Sequence, residues 1–231
     1  MVHLLSPSER TQHGRFHFEK DRHCYLVTRC LVRTVLSRCV PQIAPQDWAF
    51  APGPHGRPQI ANPEPAAQAL RFNLSHCDGL VVLAVTRGRE VGIDCENTSR
   101  LAPLEVADHF FSPSEAQALR SLPNTQQAWR FWELWTFKES YIKARGMGVS
   151  LPLAPFSINL ATPAQVSIGF DGIADDPGAW QLWQYQPGPE HLVALCLQRG
   201  GAAPTELVFW RFQWPGGALP MQASTTRTSD G

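Results

Sequence analysis

The 231-residue sequence predicts an α+β fold made of two similar halves, and three observations carry that reading. Two long helical patterns, at about 19–38 and 125–145, each follow a Ser-Pro-Ser-Glu signature, at Ser6 and Ser112. Short runs of strand character are bunched after each helix. Three echoes also recur at offsets of 106, 115 and 112: Ser-Pro-Ser-Glu itself, Arg15-Phe16 with Arg130-Phe131, and the apolar runs starting at Leu80 and Leu192. Such spacing implies units of about 110 residues. The expected division is an N-terminal half at 1–103, a C-terminal half at 104–214 and a flexible tail at 215–231. Each half is expected to be a small, mostly antiparallel sheet packed on one long helix. The halves would be related by a pseudo-twofold, with the active site in the cleft between them.

The elements follow in order. In Ser6-Pro7-Ser8-Glu9 the serine caps, proline takes the first helical position and glutamate reaches back. The first long helix has Tyr25, Val32 and Leu36 on its apolar face, with Leu31 and Val35 beside them, and Pro41 and Pro45 end it. Residues 51–67 are rich in Pro and Gly and read as a loop. Strands are expected at 71–75, 80–86 and 91–95, with turns at Asp78-Gly79 and Arg87–Glu90. The second capping box starts a helix to about Leu122. The second long helix stops at Gly146, a residue suited to a left-handed cap. Strands follow at about 155–160, 164–170, 180–186 and 191–198. From Pro215 the chain is small and polar, as in a frayed end.

Composition narrows the function. Formal net charge is +0, from 20 basic and 20 acidic residues, with no basic block, which argues against a nucleic-acid binder. The longest clean apolar run, Leu80 to Val85, is far short of the roughly 20 residues that span a membrane. The N-terminal apolar stretch stops at Ser6, too early for a signal peptide. Six cysteines without a Cys-x-x-Cys read as reduced thiols of a cytoplasmic protein.

Chemistry gathers in three clusters. The chain has three lysines against seventeen arginines, yet Lys138 and Lys143 flank Glu139. Residues four apart share a helix face, so Trp135, Glu139 and Lys143 form a stripe with Lys138 beside it. Alone, Glu139 and Lys143 would be an ordinary surface pair. Asp94 and Glu96 alternate near a strand end and can face one point. With Glu139 they would offer three hard oxygen ligands, a set that suits Mg²⁺. Asn73-Leu74-Ser75-His76 supplies a hydroxyl, an imidazole and backbone N–H groups for a phosphate, and Gly56-Arg57-Pro58 holds a guanidinium on a stiff loop.

Together these motifs resemble the 4′-phosphopantetheinyl transferases of the Sfp type. The resemblance rests on Phe-Asn-Leu-Ser-His at 72–76, Val-Gly-Ile-Asp-Cys-Glu at 91–96, Phe-Phe-Ser-Pro-Ser-Glu at 110–115 and Trp-Thr-Phe-Lys-Glu-Ser-Tyr-Ile-Lys at 135–143. It runs from about Ser6 to Gln198. It implies transfer of the phosphopantetheine arm of coenzyme A to a serine of an apo acyl or peptidyl carrier protein, releasing adenosine 3′,5′-bisphosphate. It also implies Mg²⁺, or Mn²⁺ in its place, held by Asp94, Glu96 and Glu139. Coenzyme contacts would come from Asn73, Ser75, His76, Asp94, Arg57, Lys138 and Lys143. The family's Gly-Lys-Pro is here Gly56-Arg57-Pro58, which keeps the charge. Where the family often carries basic residues in the first helix, this chain has Glu9 and Gln12, so Arg10 and Arg15 are the candidates to take over.

Charge builds on phosphate oxygens in such a reaction, so positioning and electrostatics should dominate. Lys143 would neutralise the leaving phosphate. Glu139 is the first choice of base for the carrier serine and Glu96 the second; metal binding and proton uptake compete at Glu139. Phe110, Phe111, Leu119 and Arg120 are candidates to meet the carrier, in a fatty acid, polyketide or nonribosomal peptide pathway. Two halves in one chain favour a monomer. A non-catalytic coenzyme A or carrier-binding module and a Mg²⁺-dependent pyrophosphate hydrolase remain as alternatives.

Overall fold

The computed structural model describes residues 1–53, 55–148, 153–160, 162–201, 205–214 and 217–229. It is a mixed α/β structure of several helices and small antiparallel sheets. The chain separates into two compact units, Met1–Arg71 and Phe72–Gly231. No helix among the described residues is long and apolar enough to cross a membrane.

The first unit holds α1 (Pro7–Arg15), α2 (Glu19–Cys39), a short ribbon of β1 (Phe50–Pro52) and β2 (Pro58–Ile60), and α3 (Pro65–Gln68). The capping box forms as expected: Ser6 Oγ accepts from Glu9 N at 3.2 Å and Ser6 N donates to Glu9 Oε2 at 2.9 Å. The same Glu9 Oε2 accepts from Arg33 Nη2 at 2.7 Å. Arg33 is 1% exposed, and its Nη1 donates to the carbonyls of Pro45 and Trp48 at 3.0 and 2.8 Å. On α2, Val32 and Leu36 are buried as expected, and Tyr25, Leu31 and Val35 are half-buried. The Pro/Gly-rich stretch is not wholly loop. Phe50 pairs with Ile60 and Pro52 with Pro58, which leaves Arg57 at the turn of the ribbon.

The second unit carries β3 (Leu70–Cys77, entering from the first), β4 (Leu80–Arg87), β5 (Val91–Asn97), α4 (Ala107–Phe110), α5 (Pro113–Ser121) and α6 (Asn124–Arg145). It continues with β6 (Phe156–Asn159), β7 (Ser167–Phe170), β8 (Trp180–Gly188), β9 (His191–Gln198), β10 (Phe209–Gln213), β11 (Gly217–Met221) and β12 (Thr225–Thr228). The main sheet has the order β12-β8-β9-β5, all antiparallel. The stretch after Pro215, expected as a flexible tail, thus supplies a strand of this sheet. Arg227 of β12 donates to Glu133 Oε1 at 2.8 Å, a long-range pair that local composition does not reveal.

Strand alternation splits the sheet's two faces. Val91, Ile93 and Cys95 join Val193, Leu195 and Leu197 in one apolar cluster. Leu192, Ala194 and Cys196 face the other way and pack with Phe131, Phe137 and Tyr141 of α6. Gly92 lets α6 press onto β5, because a Cβ there would lie 2.0 Å from the Ser140 carbonyl oxygen and 2.3 Å from Ala144 N. That close approach decides where the acids of β5 meet the basic end of the helix. The helix stops at Gly146, whose φ is 65°.

Candidate active site

From Phe131 to Ala144 every residue of α6 is buried except Trp135, Glu139 and Lys143, which are half-exposed. The stripe read from the four-residue spacing is therefore the open side of that enclosed stretch of the helix. Opposite it, Asp94 and Glu96 share the face of β5 that carries Gly92.

The geometry centres on Asp94, only 4% exposed. Its Oδ1 accepts from Lys143 Nζ at 2.6 Å and from Ser75 Oγ at 2.9 Å. Lys143 Nζ also donates to Ser75 Oγ at 2.9 Å, closing a triangle. Asp94 Oδ2 is buried without a hydrogen-bond partner. An unsatisfied buried carboxylate oxygen costs several kcal/mol, on the order of 1–3 or more, so the position is poised for a donor or a cation. Asn73 Oδ1 accepts from Ile93 N at 2.8 Å, which ties β3 to β5.

Glu96 is paired to Arg100, one helical turn's spacing away, whose guanidinium lies over the Trp132 ring at 5.1 Å. Burial, and next the Asp94 charge, push the Glu96 carboxyl up to about 7, against the pull of Arg100 and Lys143. Burial and Asp94 raise Glu139 as well, and Lys143 opposes them. The three carboxylates thus feel one another. Among the described residues, however, no three such groups stand close enough to make a ready-formed metal site. Lys143 pairs with Asp94 and Arg100 with Glu96, so both acids already have a cationic side-chain partner. Arg100 was not foreseen from sequence; its place four residues after Glu96 was the available signal.

Other expected residues lie elsewhere. Lys138 is 0% exposed and does not join the Asp94 cluster. Its ammonium meets Glu115 Oε2 at 2.7 Å and donates to the carbonyls of Leu153 and Phe156. All three of its protons are then used. His76 is exposed on β3 and alternates with Asn73 and Ser75, which puts it on the opposite side of the strand. Arg57, Arg10 and Arg15 belong to the first unit; Arg10 and Arg15 are exposed and Arg57 half-buried. Of the candidates for carrier contact, Phe111 and Leu119 are core residues. Phe110 is 39% exposed, edge-on to Trp135 at 5.5 Å, and Arg120 is exposed and paired with Asp108.

A helix pressed onto a strand, with a lysine, a hydroxyl and an unsatisfied buried carboxylate between them, suits the handling of phosphate groups. Comparison with known proteins makes this specific. Residues 90–196 match the family model of the 4′-phosphopantetheinyl transferase superfamily, and residues 1–88 match that of the 4′-phosphopantetheinyl transferase N-terminal region. The chain is 35% identical over 193 residues to 4′-phosphopantetheinyl transferase Sfp of Bacillus subtilis strain 168, covering 84% of this chain and 82% of that protein. It is 31% identical over 210 residues to 4′-phosphopantetheinyl transferase HetI of Nostoc sp. strain PCC 7120, covering 90% and 83%. The chain belongs to the 4′-phosphopantetheinyl transferase superfamily.

Proposed function

We propose that this protein transfers the 4′-phosphopantetheine arm of coenzyme A to a serine of an acyl or peptidyl carrier protein, releasing adenosine 3′,5′-bisphosphate. Beyond family membership, one observation carries the mechanism: the buried, partnerless Asp94 Oδ2 beside Glu96 and Glu139. An oxygen-rich, acidic spot with one unsatisfied atom fits a hard divalent cation. Asp94, Glu96 and Glu139 would hold Mg²⁺, or Mn²⁺ in its place. When bound, the cation would draw charge off the pyrophosphate oxygens.

The remaining work falls to the chain's own groups. Lys143, a compact charge on a flexible stem at the open side of α6, exchanges its Asp94 contact for the leaving phosphate. The Ser75 hydroxyl, already shared with Lys143, adds a donor to the same anion. Asn73 positions both by fixing β3 on β5. Glu139 is the first choice to accept the proton of the carrier serine; burial raises its carboxyl, a bound cation would lower it, and the two roles compete there. Glu96, pushed up to about 7, is the second candidate. Arg57, His76, Arg10 and Arg15 are proposed for the coenzyme's phosphates, and exposed Phe110 and Arg120 for an acidic carrier surface. Lys138 is left out of this set because its protons are committed inside the core.

The test is an intact-mass assay of apo carrier protein with coenzyme A and Mg²⁺. The carrier should gain the arm. Release of free phosphopantetheine without a modified carrier would point to a hydrolase, and neither product to a binding module. Glu139→Gln should lower carrier loading by ~10²–10⁴-fold, the usual worth of a general base, while coenzyme A still binds. Near-normal turnover in that variant removes Glu139 from the mechanism.

A further inference from the structure

Lys143 stands in the last turn of α6, and that turn is held from behind. The Lys143 carbonyl accepts from the N–H of Gly146, the left-handed cap, at 3.2 Å, so the lysine belongs to the turn that closes the helix. Carbonyls of a last turn lack partners within the helix, and such ends fray. Tyr141 and Arg145 are four residues apart and share a face; Lys143 is rotated by about 200° from each and looks the other way. On the Tyr141–Arg145 face stands Asp175, in the connection between β7 and β8. Its Oδ2 accepts from Tyr141 Oη at 2.6 Å, from Trp180 Nε1 at 3.0 Å and from Arg145 Nη1. Arg145 Nη1 also donates to Tyr141 Oη at 3.0 Å, and Asp175 Oδ1 accepts from Asp176 N at 2.8 Å.

An aspartate with these donors could do no more than stitch a connection to a helix. Two observations argue for more. The Tyr141 ring is held without it: the residue is 0% exposed, and its ring centroid lies 4.8 Å from that of Phe156 and 5.3 Å from that of Trp180. What Asp175 adds therefore lies one turn further on, at Arg145, the last helical residue, whose side chain is 27% exposed. The turn so held is also the one whose opposite face carries the ammonium that meets Asp94 and Ser75. We propose that Asp175 is a positioning residue for Lys143. Through Arg145 and Tyr141 it fixes the closing turn of α6, and so the place where the Lys143 ammonium meets the leaving phosphate. The phosphate contact rests on the transfer reaction proposed above; the clamp itself does not.

The expected size follows from how far the lysine can stray. A last turn free to fray misplaces its side chains, and a misplacement of ~1 Å can cost ~100-fold. Losing the clamp loosens Lys143 rather than removing it. Asp175→Ala should therefore lower kcat for carrier loading about tenfold, less than loss of the lysine itself. The KM for carrier should stay within about twofold, because the weakened contact is one made to the leaving group in the transition state. Asp175→Asn keeps an acceptor, loses the charge and should fall between the two.

The experiment uses the full-length protein grown with isotope-labelled lysine. The chain has three lysines, Lys20, Lys138 and Lys143, so three side-chain NMR signals are expected, and Lys143→Ala assigns the one that matters. In Asp175→Ala the Lys143 signal should move and sharpen towards that of a free side chain, while the other two stay in place. A Lys143 signal that stays put overturns the proposal. So do three signals that move together, which would mark a purely structural role. Loading is then compared in a double-mutant cycle. Asp175→Ala should cost about tenfold alone and less than about twofold on top of Lys143→Ala, because the clamp acts through the lysine. Equal losses in both backgrounds, or none in either, overturn it as well. Asp175→Asn, the milder change, carries the same tests where the alanine variant folds poorly. If the unmodified protein loads no carrier, the transferase reading fails, while the lysine signals still decide the clamp.

Discussion

Lys138 and Lys143 lie five residues apart on α6 and both pair with a buried carboxylate, yet their surroundings are opposite. Around Lys138 every group is satisfied. Glu115 Oε2 takes the ammonium and Ser112 N at 2.7 Å each, and Glu115 Oε1 takes Ile158 N at 2.6 Å. The lysine's other protons reach two carbonyls, and it lies 4.2 Å from the Phe156 ring centroid. Around Lys143 the account stays open: the side chain is 26% exposed, and Asp94 Oδ2 has no partner. A buried charge whose bonds are all closed holds structure. One whose neighbours include an unsatisfied oxygen is arranged for something that arrives later. The first arrangement occurs twice. Glu9 closes the first capping box and takes buried Arg33 of the next long helix, much as Glu115 closes the second box and takes Lys138. The two Ser-Pro-Ser-Glu signatures are therefore anchors as well as helix starts.

The largest expected effect breaks the closed pair. Lys138→Ala leaves Glu115 charged and enclosed, and should cost ~3–5 kcal/mol of stability, read as a lower urea midpoint. A midpoint within error of the wild type would mean that Glu115 finds another donor, and the contrast with Lys143 would vanish.

The same contrast shows what could be read from sequence and what could not. Both capping boxes, the stop at Gly146 and the open stripe of α6 obey local rules, so spacing was enough. Lys138 flanks the stripe in the sequence, and the motif resemblance assigns it to the coenzyme site. One residue is about 100° of helix rotation, and that turn carries it from the open stripe into the core. Arg100 at Glu96 and Arg227 at Glu133 depend on contacts that no window reveals. The Pro/Gly-rich stretch hid β1 and β2 for a related reason: a ribbon of three residues a side gives too short an alternation to recognise.

Next comes the open pair. Lys143→Ala leaves Asp94 buried without its cation, yet should lower the urea midpoint less than Lys138→Ala does, because water can enter where the half-exposed lysine stood. Carrier loading should fall ~10²–10³-fold, the scale for losing one group that stabilises transition-state charge. Unfolding comparable to that of Lys138→Ala would show that Lys143 is part of the scaffold. Unchanged loading would show that the phosphate is met by another group.

The smallest expected effect titrates the open side. Burial and Asp94 push Glu96 up to about 7 from the ordinary 4.5. Between those values the unfolded chain ionises this carboxyl while the folded protein keeps it protonated. Stability from Glu96 is therefore fully present below 4.5 and is lost as pH rises through 7, a difference of about 3 kcal/mol. Glu96→Gln mimics the protonated form and escapes the loss. In metal-free buffer, the variant's urea stability should exceed the wild type's by a margin that grows from pH 5 to pH 8. Parallel profiles would mean that Glu96 is already ionised in the folded protein. Arg100, rather than a proton, would then be what neutralises it, and both carboxylates would be held by side-chain cations until a competing ligand displaces them.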